Sequence, residues 1–280
     1  MNDYAIVLDL EVDLGGDRKD PSPYNKDNTL VAIGYTYRAL DGRPIWRSDG
    51  AVYIKKFPID NYYLYEFKKA INEATYIVAH NAKFDLAWLR EVGIECNNKV
   101  IDTMINEYVL NKGIRSKLSL DALSEKYKVI RKQSLLGDAL SKGLNYSDMS
   151  EEDQKKYLYY DVMSTAEVFE KQQKRFKRSE NKSLIPIRDL MCEFCSVLTD
   201  IERSGMAIDL QVLEQVDLEY EQEQAQLNSY LNKKVRDLMG DLEVNLSSPE
   251  QLSQVIYSCK LVDKNTWKDE MNIGVDARGK

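Results

Sequence analysis

Four acidic side chains in three separated segments of this 280-residue chain have the types and positions of a metal-binding site. Asp9 and Glu11 end an apolar run that is typical of a buried strand, and Asp85 follows a second such run where the chain enters a helix. Asp161 lies on a predicted helix, four residues after Tyr157 and therefore on the same helix face. Carboxylate oxygens are the ligands that hard divalent cations prefer. The sequence therefore predicts that these four acids converge on divalent metal.

No single segment identifies this site, because the same short patterns recur elsewhere in the chain. Asp-x-Glu occurs again at Asp200 and Asp217, and Tyr-x-x-x-Asp occurs again at Tyr37. The later acidic pairs lie in charged helical sequence, and Tyr37 leads into an Asp-Gly turn. Helix capping or solvation would explain one acid at a strand end, whereas the ordered set of acids favours a site.

The ordered set resembles the motifs of the DEDD 3′–5′ exonucleases, in the subclass that carries a tyrosine. The matching motifs are Asp9-Leu-Glu11, Asn81-Ala-Lys-Phe-Asp85 and Tyr157-Leu-Tyr-Tyr-Asp161. More narrowly, the chain resembles the proofreading domain of family A (polymerase I-like) DNA polymerases, especially phage members. Segments 101–110 and 118–127 support the resemblance, and segments 201–209 and 245–252 are similar to the start of that family's polymerase thumb.

The resemblance implies two divalent metal ions, Mg²⁺ or Mn²⁺, roughly 3.5–4 Å apart, and a catalytic role for five residues. Asp9 and Asp161 would hold the first ion, and Asp9 would also bridge to the second. Asp85 would hold the second ion directly or through water. Glu11, besides binding metal, would accept a hydrogen bond from water or from the terminal 3′-hydroxyl. Tyr157 would orient the attacking water, since a phenol with a pKa near 10 is a weak general base.

Residues around Asp85 are expected to contact the substrate. By resemblance, Asn81 and Phe84 would touch the terminal nucleotides, although Phe84 could instead belong to the core. His80 is the one histidine of the chain, and we interpret it as a loop or helix-cap residue. A single histidine excludes zinc sites built on several histidines, and a serine or cysteine hydrolase triad would need this one imidazole in the right place. The histidine-bearing DEDD subclass is excluded too, because Lys156 stands where its histidine would be.

Composition agrees with a nuclease that grips only a short strand end. A net charge of −7 argues against broad electrostatic capture of nucleic acid. No apolar stretch reaches the length of a membrane span, and the N-terminus has no signal-peptide pattern. Four cysteines imply no disulfide framework, so we expect a cytoplasmic protein, in the host cytoplasm if it is phage-encoded. Cys192 and Cys195 could form a zinc or redox pair, but the apolar stripe around them favours core packing.

Periodicity predicts strands that come first and then alternate with helices. Strands are predicted near 4–10, 29–37, 51–55, 75–79 and 99–102, and helices near 60–73, 82–92, 103–111, 119–128, 150–177, 186–204 and 209–239. This order predicts an α/β fold with a mixed sheet. The resemblance implies the ribonuclease H-like exonuclease fold, followed by a small helical thumb-like segment.

Two domains are expected, an exonuclease domain over 1–180 and a helical segment over 181–280 that resembles an incomplete thumb. The palm and fingers of the resembled family have no counterpart here. The loop at 15–28 is interpreted as solvated, although it could touch the substrate. The basic cluster at 171–182 is interpreted as a solvated helix end that complements the helix dipole, with DNA contact as the alternative.

The predicted function is metal-dependent 3′–5′ exonuclease activity on single-stranded or frayed DNA 3′ ends, as the proofreading part of a family A polymerase. The expected partners are that DNA end and a polymerase module, in the same longer chain or as a separate subunit, and no membrane. One alternative is an RNA-trimming exoribonuclease of the same subclass. Another is an inactive exonuclease-like module that serves as a scaffold or docking platform.

Overall fold

The computed structural model describes residues 4–16, 20–45, 50–54, 62–130, 144–240 and 244–257, in two compact units, Met1–Gly205 and Met206–Lys280. Several predicted features reach partly outside the described residues. These are residue 55 of the third predicted strand, residues 60–61 of the first predicted helix, residues 17–19 of the predicted loop, and the parts of the two predicted domains that fall in the gaps and after residue 257.

The first unit contains a five-stranded mixed sheet. Its strands are β1 (Tyr4–Asp13), β2 (Thr29–Ala39), β3 (Gly50–Tyr53), β4 (Tyr76–Ala79) and β5 (Lys99–Asp102). Their order across the sheet is β3-β2-β1-β4-β5. β2 is antiparallel to both β1 and β3, whereas β4 is parallel to both β1 and β5. The predicted α/β fold with a mixed sheet is therefore confirmed, and β1, β2 and β3 form an antiparallel meander.

The described part of the first unit contains six α-helices. They are α1 (Tyr62–Glu73), α2 (Ala82–Glu91), α3 (Thr103–Leu110), α4 (Leu120–Tyr127), α5 (Glu151–Phe176) and α6 (Ile185–Ser204). Short 3₁₀ helices precede α5 at Tyr146–Asp148 and α6 at Ser179–Leu184. The helices at 82–92, 103–111, 119–128 and 150–177 were predicted to within a residue or two at each end.

Alternation along β1 separates two cores. Ile6 and Leu8 belong to the larger core, which α1 and α2 cover. Ala5 and Val7 point the other way and pack with Phe169 of α5. Because side chains alternate, the odd-numbered residues that follow on β1 are directed to the same side as α5.

The buried face of α6 differs from the predicted one. Cys192 and Cys195 are 1% and 8% exposed, as core packing predicts. The predicted apolar stripe of this helix is nevertheless solvent-exposed at Ile187, Leu190, Phe194, Val197 and Ile201. The prediction that the cysteines share this stripe is therefore wrong. The face that packs on α2, α3 and β5 carries Arg188 and Thr199 beside the cysteines, at spacings of three and four residues.

The second unit contains two described helices, α7 (Leu210–Met239) and α8 (Pro249–Tyr257). Asp209 caps α7 by accepting hydrogen bonds from the backbone N–H groups of Gln211 at 3.0 Å and Val212 at 3.2 Å. The thumb-like assignment of 181–280 stays a prediction. Among the described residues, no helix combines the length and apolar character that crossing a membrane requires.

Two surface segments make specific contacts. In the loop at 15–28, the Asn28 side-chain amide donates to Asp20 O at 2.7 Å and Ser22 O at 2.9 Å, and Trp88 of α2 donates to Pro21 O at 3.2 Å. These bonds hold the described part of the loop against α2.

Three members of the basic cluster form ion pairs. Lys174 binds Glu170 at 2.5 Å, Lys177 binds Asp41 at 3.3 Å and Arg175 binds Glu107 at 3.1 Å. These partners support the interpretation of the cluster as a solvated helix end, because charge already compensated within the chain attracts a phosphate backbone less.

Candidate active site

Asp9 and Glu11 lie two residues apart on β1 and therefore on one face of the sheet, the face that α5 covers. Asp9 is partly buried, and Glu11 is only 6% exposed. The pairing of β1 with β2 is irregular between Glu11 and Val12, and such bulges often lie beside active sites because they redirect side chains. β1 thus presents two carboxylates towards α5.

Tyr157 and Asp161 reach the same place from α5. Ser150 caps this helix by accepting a hydrogen bond from the Asp153 N–H at 3.2 Å. The four-residue spacing places Tyr157 and Asp161 on the inward face, where each is 2% exposed.

The close approach of α5 to the sheet depends on Gly34, which pairs with Asp9 across β1 and β2. A Cβ atom on Gly34 would stand 2.6 Å from Leu158 Cγ and 2.8 Å from Val162 Cγ2. Carbon atoms attract one another at about 3.5–4 Å and repel at such short distances. Glycine is therefore required at this position for the helix to bring Asp161 beside Asp9.

Asp9, Glu11 and Asp161 form a compact carboxylate group, in which one oxygen of each residue lies within 4.8 Å of the others. Carboxylates this close repel one another when ionised, and burial strengthens the repulsion. Oxygen ligands with this charge suit a hard divalent cation. The donor set therefore fits Mg²⁺ or Mn²⁺ chemically.

Asp85 lies outside that three-residue group but close to it. Its side chain is 3% exposed in the first turn of α2. Burial raises its pKa well above the usual value, and the charges of Asp9 and Asp102 raise it further, while the backbone N–H groups of Asp85 and Leu10 oppose the shift. These interactions place the Asp85 carboxyl group beside the strand that carries Asp9, where a cation would favour its ionised form.

Tyr157 is kept protonated by its surroundings. Burial is the main cause that raises the pKa of its phenol far above the usual value. The charges of Glu11, Asp161 and Asp9 raise this pKa further. A hydrogen bond with the Asp161 carboxylate acts in the same direction. Beside these carboxylates Tyr157 is therefore a neutral phenol, a group that can orient a water molecule or a phosphate by hydrogen bonding.

Tyr146 is a neighbour of the site that the sequence analysis missed. Its ring packs edge-on against Tyr157 with centroids 6.2 Å apart, and its hydroxyl donates to Gln154 O at 2.7 Å. Asn145 anchors this segment to the end of β1 through two bonds with the Leu14 backbone, both 3.2 Å long. No periodic pattern marks Tyr146 in the sequence, because only the folded chain brings the segment against β1.

The predicted substrate-contacting residues lie on the turn and first helical residues after β4. Asn81 is exposed and adopts the left-handed conformation with φ of 65°. Phe84 is half-buried and packs against the larger core, which supports the alternative interpretation of this ring. His80 Nδ1 is 2.8 Å from Thr103 Oγ1, so this histidine is a turn residue beside the site.

Sequence comparison relates the chain to known nucleases. A family model of DNA polymerase A type, described as 3′-5′ exonuclease, matches residues 26–177, a range that begins after Asp9 and Glu11. DNA polymerase I of Borreliella burgdorferi is 27% identical over 251 residues, which are 88% of this chain and 26% of the relative. DNA polymerase I of Chloroflexus aurantiacus is 25% identical over 182 residues, 64% of this chain and 18% of the relative. The chain thus spans about a quarter or less of the length of these curated relatives.

Structural comparison supports the same fold. Brucella melitensis NrnC with bound Mg²⁺ matches with a TM-score of 0.53 and 14% identity, over 72% of this chain and 86% of that one. The POL domain of Pol1 from M. smegmatis, in complex with DNA primer-template and dNTP, matches with a TM-score of 0.57 and 15% identity, over 96% of this chain and 42% of that one. At these identities the likeness concerns the fold, and the ribonuclease H-like exonuclease architecture expected from the sequence is confirmed.

Proposed function

The chain belongs to the 3′–5′ exonuclease family of DNA polymerase A type, and on that premise we propose that it is a metal-dependent exonuclease that removes nucleotides from DNA 3′ ends. We assign it to the tyrosine-bearing subclass and to the proofreading part of a family A polymerase. The polymerase module would be a partner in the same longer chain or as a separate subunit. We also propose a phage origin and, from the sparse cysteines, a cytoplasmic location.

The observation that carries this proposal is the compact group of Asp9, Glu11 and Asp161, with Tyr157 bonded to Asp161 at its edge. Two of the three carboxylates are almost fully buried, and burying repelling charges costs stability unless something compensates them. Such a costly arrangement favours a functional role over a structural one.

Each proposed role follows from the chemistry of phosphodiester hydrolysis. Bound divalent ions would supply Lewis acidity that makes water a better nucleophile and neutralises charge on the attacked phosphate. Asp9, Asp161 and Asp85 would hold these ions, and Glu11 would also accept a hydrogen bond from the water or the terminal 3′-hydroxyl. With its proton directed to Asp161, the Tyr157 phenol oxygen would accept a hydrogen bond from the attacking water and so orient it. The new bond joins the water oxygen to phosphorus, and the bond from phosphorus to the preceding 3′-oxygen breaks. The proton that the water loses to solvent is balanced by the one that the released 3′-oxygen takes up from solvent.

Recognition of any 3′ end would rest on contacts to sugar, phosphate and base faces, which do not depend on sequence. Asn81 and Phe84 are the candidates for contacting the terminal nucleotides. Asn81 is exposed at the start of α2, and Phe84 offers only the exposed part of its ring.

The test is release of mononucleotides from matched DNA and RNA oligonucleotides that carry a 3′ label. Wild-type protein with Mg²⁺ or Mn²⁺ should shorten the DNA from its 3′ end, and excess chelator should stop the reaction. Asp9→Ala should lower the rate by several orders of magnitude without loss of the fold, whereas Asp121→Ala, which removes an exposed carboxylate on α4, should leave the rate unchanged.

Three results would contradict parts of this proposal. Full activity in excess chelator would exclude the metal-dependent mechanism. Faster degradation of RNA than of DNA would favour an exoribonuclease. No cleavage of either strand by well-folded protein would favour a scaffold or docking module.

A further inference from the structure

The helix that carries Asp85 begins without a cap of its own. Asn81 occupies the cap position of α2, but its side chain makes no capping hydrogen bond, and its backbone is left-handed. The first N–H groups of any helix lack partners within the helix and need acceptors from elsewhere. The residue that accepts hydrogen bonds from the first N–H groups of α2 therefore fixes where this helix begins.

Asp102, at the end of β5, supplies them. Its Oδ1 accepts from the Asn81 N–H at 3.1 Å, and its Oδ2 accepts from the Ala82 N–H at 2.9 Å. Oδ1 also accepts from the Met104 N–H at 2.7 Å, so one carboxylate caps both α2 and α3. Asp102 can do this because it pairs with Ala79 in the parallel register of β4 and β5. Asp102 is 1% exposed, and its charge acts on Asp85.

Thr103 holds the same turn from the next position. Its hydroxyl donates to Ala79 O at 3.3 Å and lies 2.8 Å from His80 Nδ1. The hydroxyl has a single proton, so the histidine nitrogen is the donor of the second contact when that proton is directed to Ala79 O. Thr103 is 0% exposed, so no water replaces these bonds when they are lost.

We propose that Asp102 and Thr103 are positioning residues of the exonuclease reaction, which act by fixing the turn between β4 and α2 from which Asp85 and Asn81 are presented. The two residues form a clamp, Asp102–Thr103, that belongs to a neighbouring strand and not to the helix that it orients. Asp102 and Thr103 are 1% and 0% exposed, so we assign them no contact with substrate or metal. The inference rests on the proposed function, since Asp85 is a metal ligand only in that function.

If the clamp positions Asp85, metal affinity depends on the hydrogen bonds of Asp102 and Thr103, although neither residue is a proposed metal ligand. Groups that orient metal ligands typically change metal affinity or activity about 10–100-fold when they are removed. Thr103→Val keeps the shape of the side chain and removes both of its hydrogen bonds, whereas Thr103→Ser keeps the hydroxyl. Ser119→Ala is the matched control, because Ser119 caps α4 through the Ala122 N–H at 3.4 Å, and α4 carries none of the proposed site residues.

The experiment measures Mn²⁺ binding by calorimetry, hydrogen exchange of peptides that cover residues 79–86, and DNA cleavage, for each full-length variant. Thr103→Val should weaken Mn²⁺ binding about 10–100-fold, accelerate exchange in 79–86 and slow cleavage. Thr103→Ser should restore all three towards wild type. Ser119→Ala should lower the melting temperature and leave Mn²⁺ affinity and exchange in 79–86 unchanged.

If Thr103→Val does not fold, Asp102→Asn decides the question, because it replaces one acceptor oxygen with an NH₂ group that faces an N–H. Unchanged Mn²⁺ affinity and exchange in a folded variant would overturn the clamp and leave the proposed function intact. Wild-type protein that binds no Mn²⁺ and cleaves no DNA would instead overturn the proposed function, and with it the positioning role inferred from it.

Discussion

At the scale of single residues, the Tyr157 hydroxyl lies among the carboxylates of Glu11, Asp161 and Asp9, and burial together with these charges raises its pKa far above the usual value. A phenolate would be repelled by the same charges. The hydroxyl therefore remains a hydrogen-bond donor at neutral and moderately alkaline pH. In the proposed reaction its contribution would therefore be one of orientation.

Tyr157→Phe should lower the rate of DNA cleavage by about 10²–10⁴-fold, the usual size of a positioned proton donor or acceptor. Mn²⁺ affinity should stay nearly unchanged, because only the hydroxyl is removed. Tyr159→Phe is the control on the same helix, since the Tyr159 side chain is half-exposed, and it should be indistinguishable from wild type. Loss of Mn²⁺ binding in Tyr157→Phe, or an unaltered rate, would show that the role is assigned wrongly.

At the scale of elements, the site depends on how closely α5 approaches β1 and β2. The motifs of β1 and α5 can be predicted from sequence because a strand end and a capped helix are local patterns. The contact between them is not local. Gly34 allows it from a third element, and Tyr146 completes it from a segment before α5, so neither residue could be recognised from spacing alone.

Gly34→Ala should displace α5 because the new methyl group overlaps Leu158 and Val162. Overpacking of this kind costs about 1–3 kcal/mol of unfolding free energy, and a shift of about 1 Å at the acids can lower the rate about 10²-fold. The double variant Gly34→Ala/Leu158→Ala should recover part of the rate, because it removes the nearest clash. An active Gly34→Ala with native stability would show that the helix has more room than its contacts indicate.

A buried group of hydrogen bonds and ion pairs also fixes the position of α5 against α3 and α4. Glu107 of α3 is fully buried, and Lys126, Tyr127 and Arg175 bond to it at 2.5, 2.5 and 3.1 Å. Burial alone would raise its pKa, but hydrogen bonds from Lys126, Tyr127 and Gln172 hold the pKa below its ordinary value of 4.5. The ionised form therefore stabilises the fold above about pH 4.5, and this contribution is lost as the pH falls through the lower folded-state pKa.

Glu107→Gln should lower the unfolding free energy by about 2 kcal/mol at neutral pH, the order expected for hydrogen bonds to a buried charge. The difference from wild type should shrink in acid, because wild-type Glu107 then also becomes neutral. Denaturant unfolding of both proteins, near neutral pH and in acid, measures this difference in unfolding free energy. Glu170→Gln, which removes a surface pair with Lys174, should cost about 0.5 kcal/mol or less. A difference that persists unchanged in acid would contradict the role of the Glu107 charge.

At the scale of the whole molecule, the sequence predicts the sheet, the helices and the nuclease motifs well. It predicts less well which helix faces are exposed to solvent. Apolar stripes were assumed to be buried, yet Leu190 and Phe194 of α6 are exposed while Cys192 is buried. An amphipathic pattern reveals that a helix has an apolar face, and tertiary packing decides which face is covered. The Asp102–Thr103 clamp was likewise invisible in sequence, because parallel strands bring it to α2 from a distant segment.

The central claim is that Asp9, Glu11 and Asp161 share a divalent metal ion, and anomalous scattering from crystals soaked in Mn²⁺ tests it most directly. The account predicts an anomalous peak within bonding distance of a carboxylate oxygen from each of the three residues, and its absence from Asp9→Ala crystals soaked in the same way. The contradicting result requires that the wild-type protein cleaves DNA only with Mn²⁺. If its soaked crystals then show metal elsewhere and none between these carboxylates, the claim is wrong.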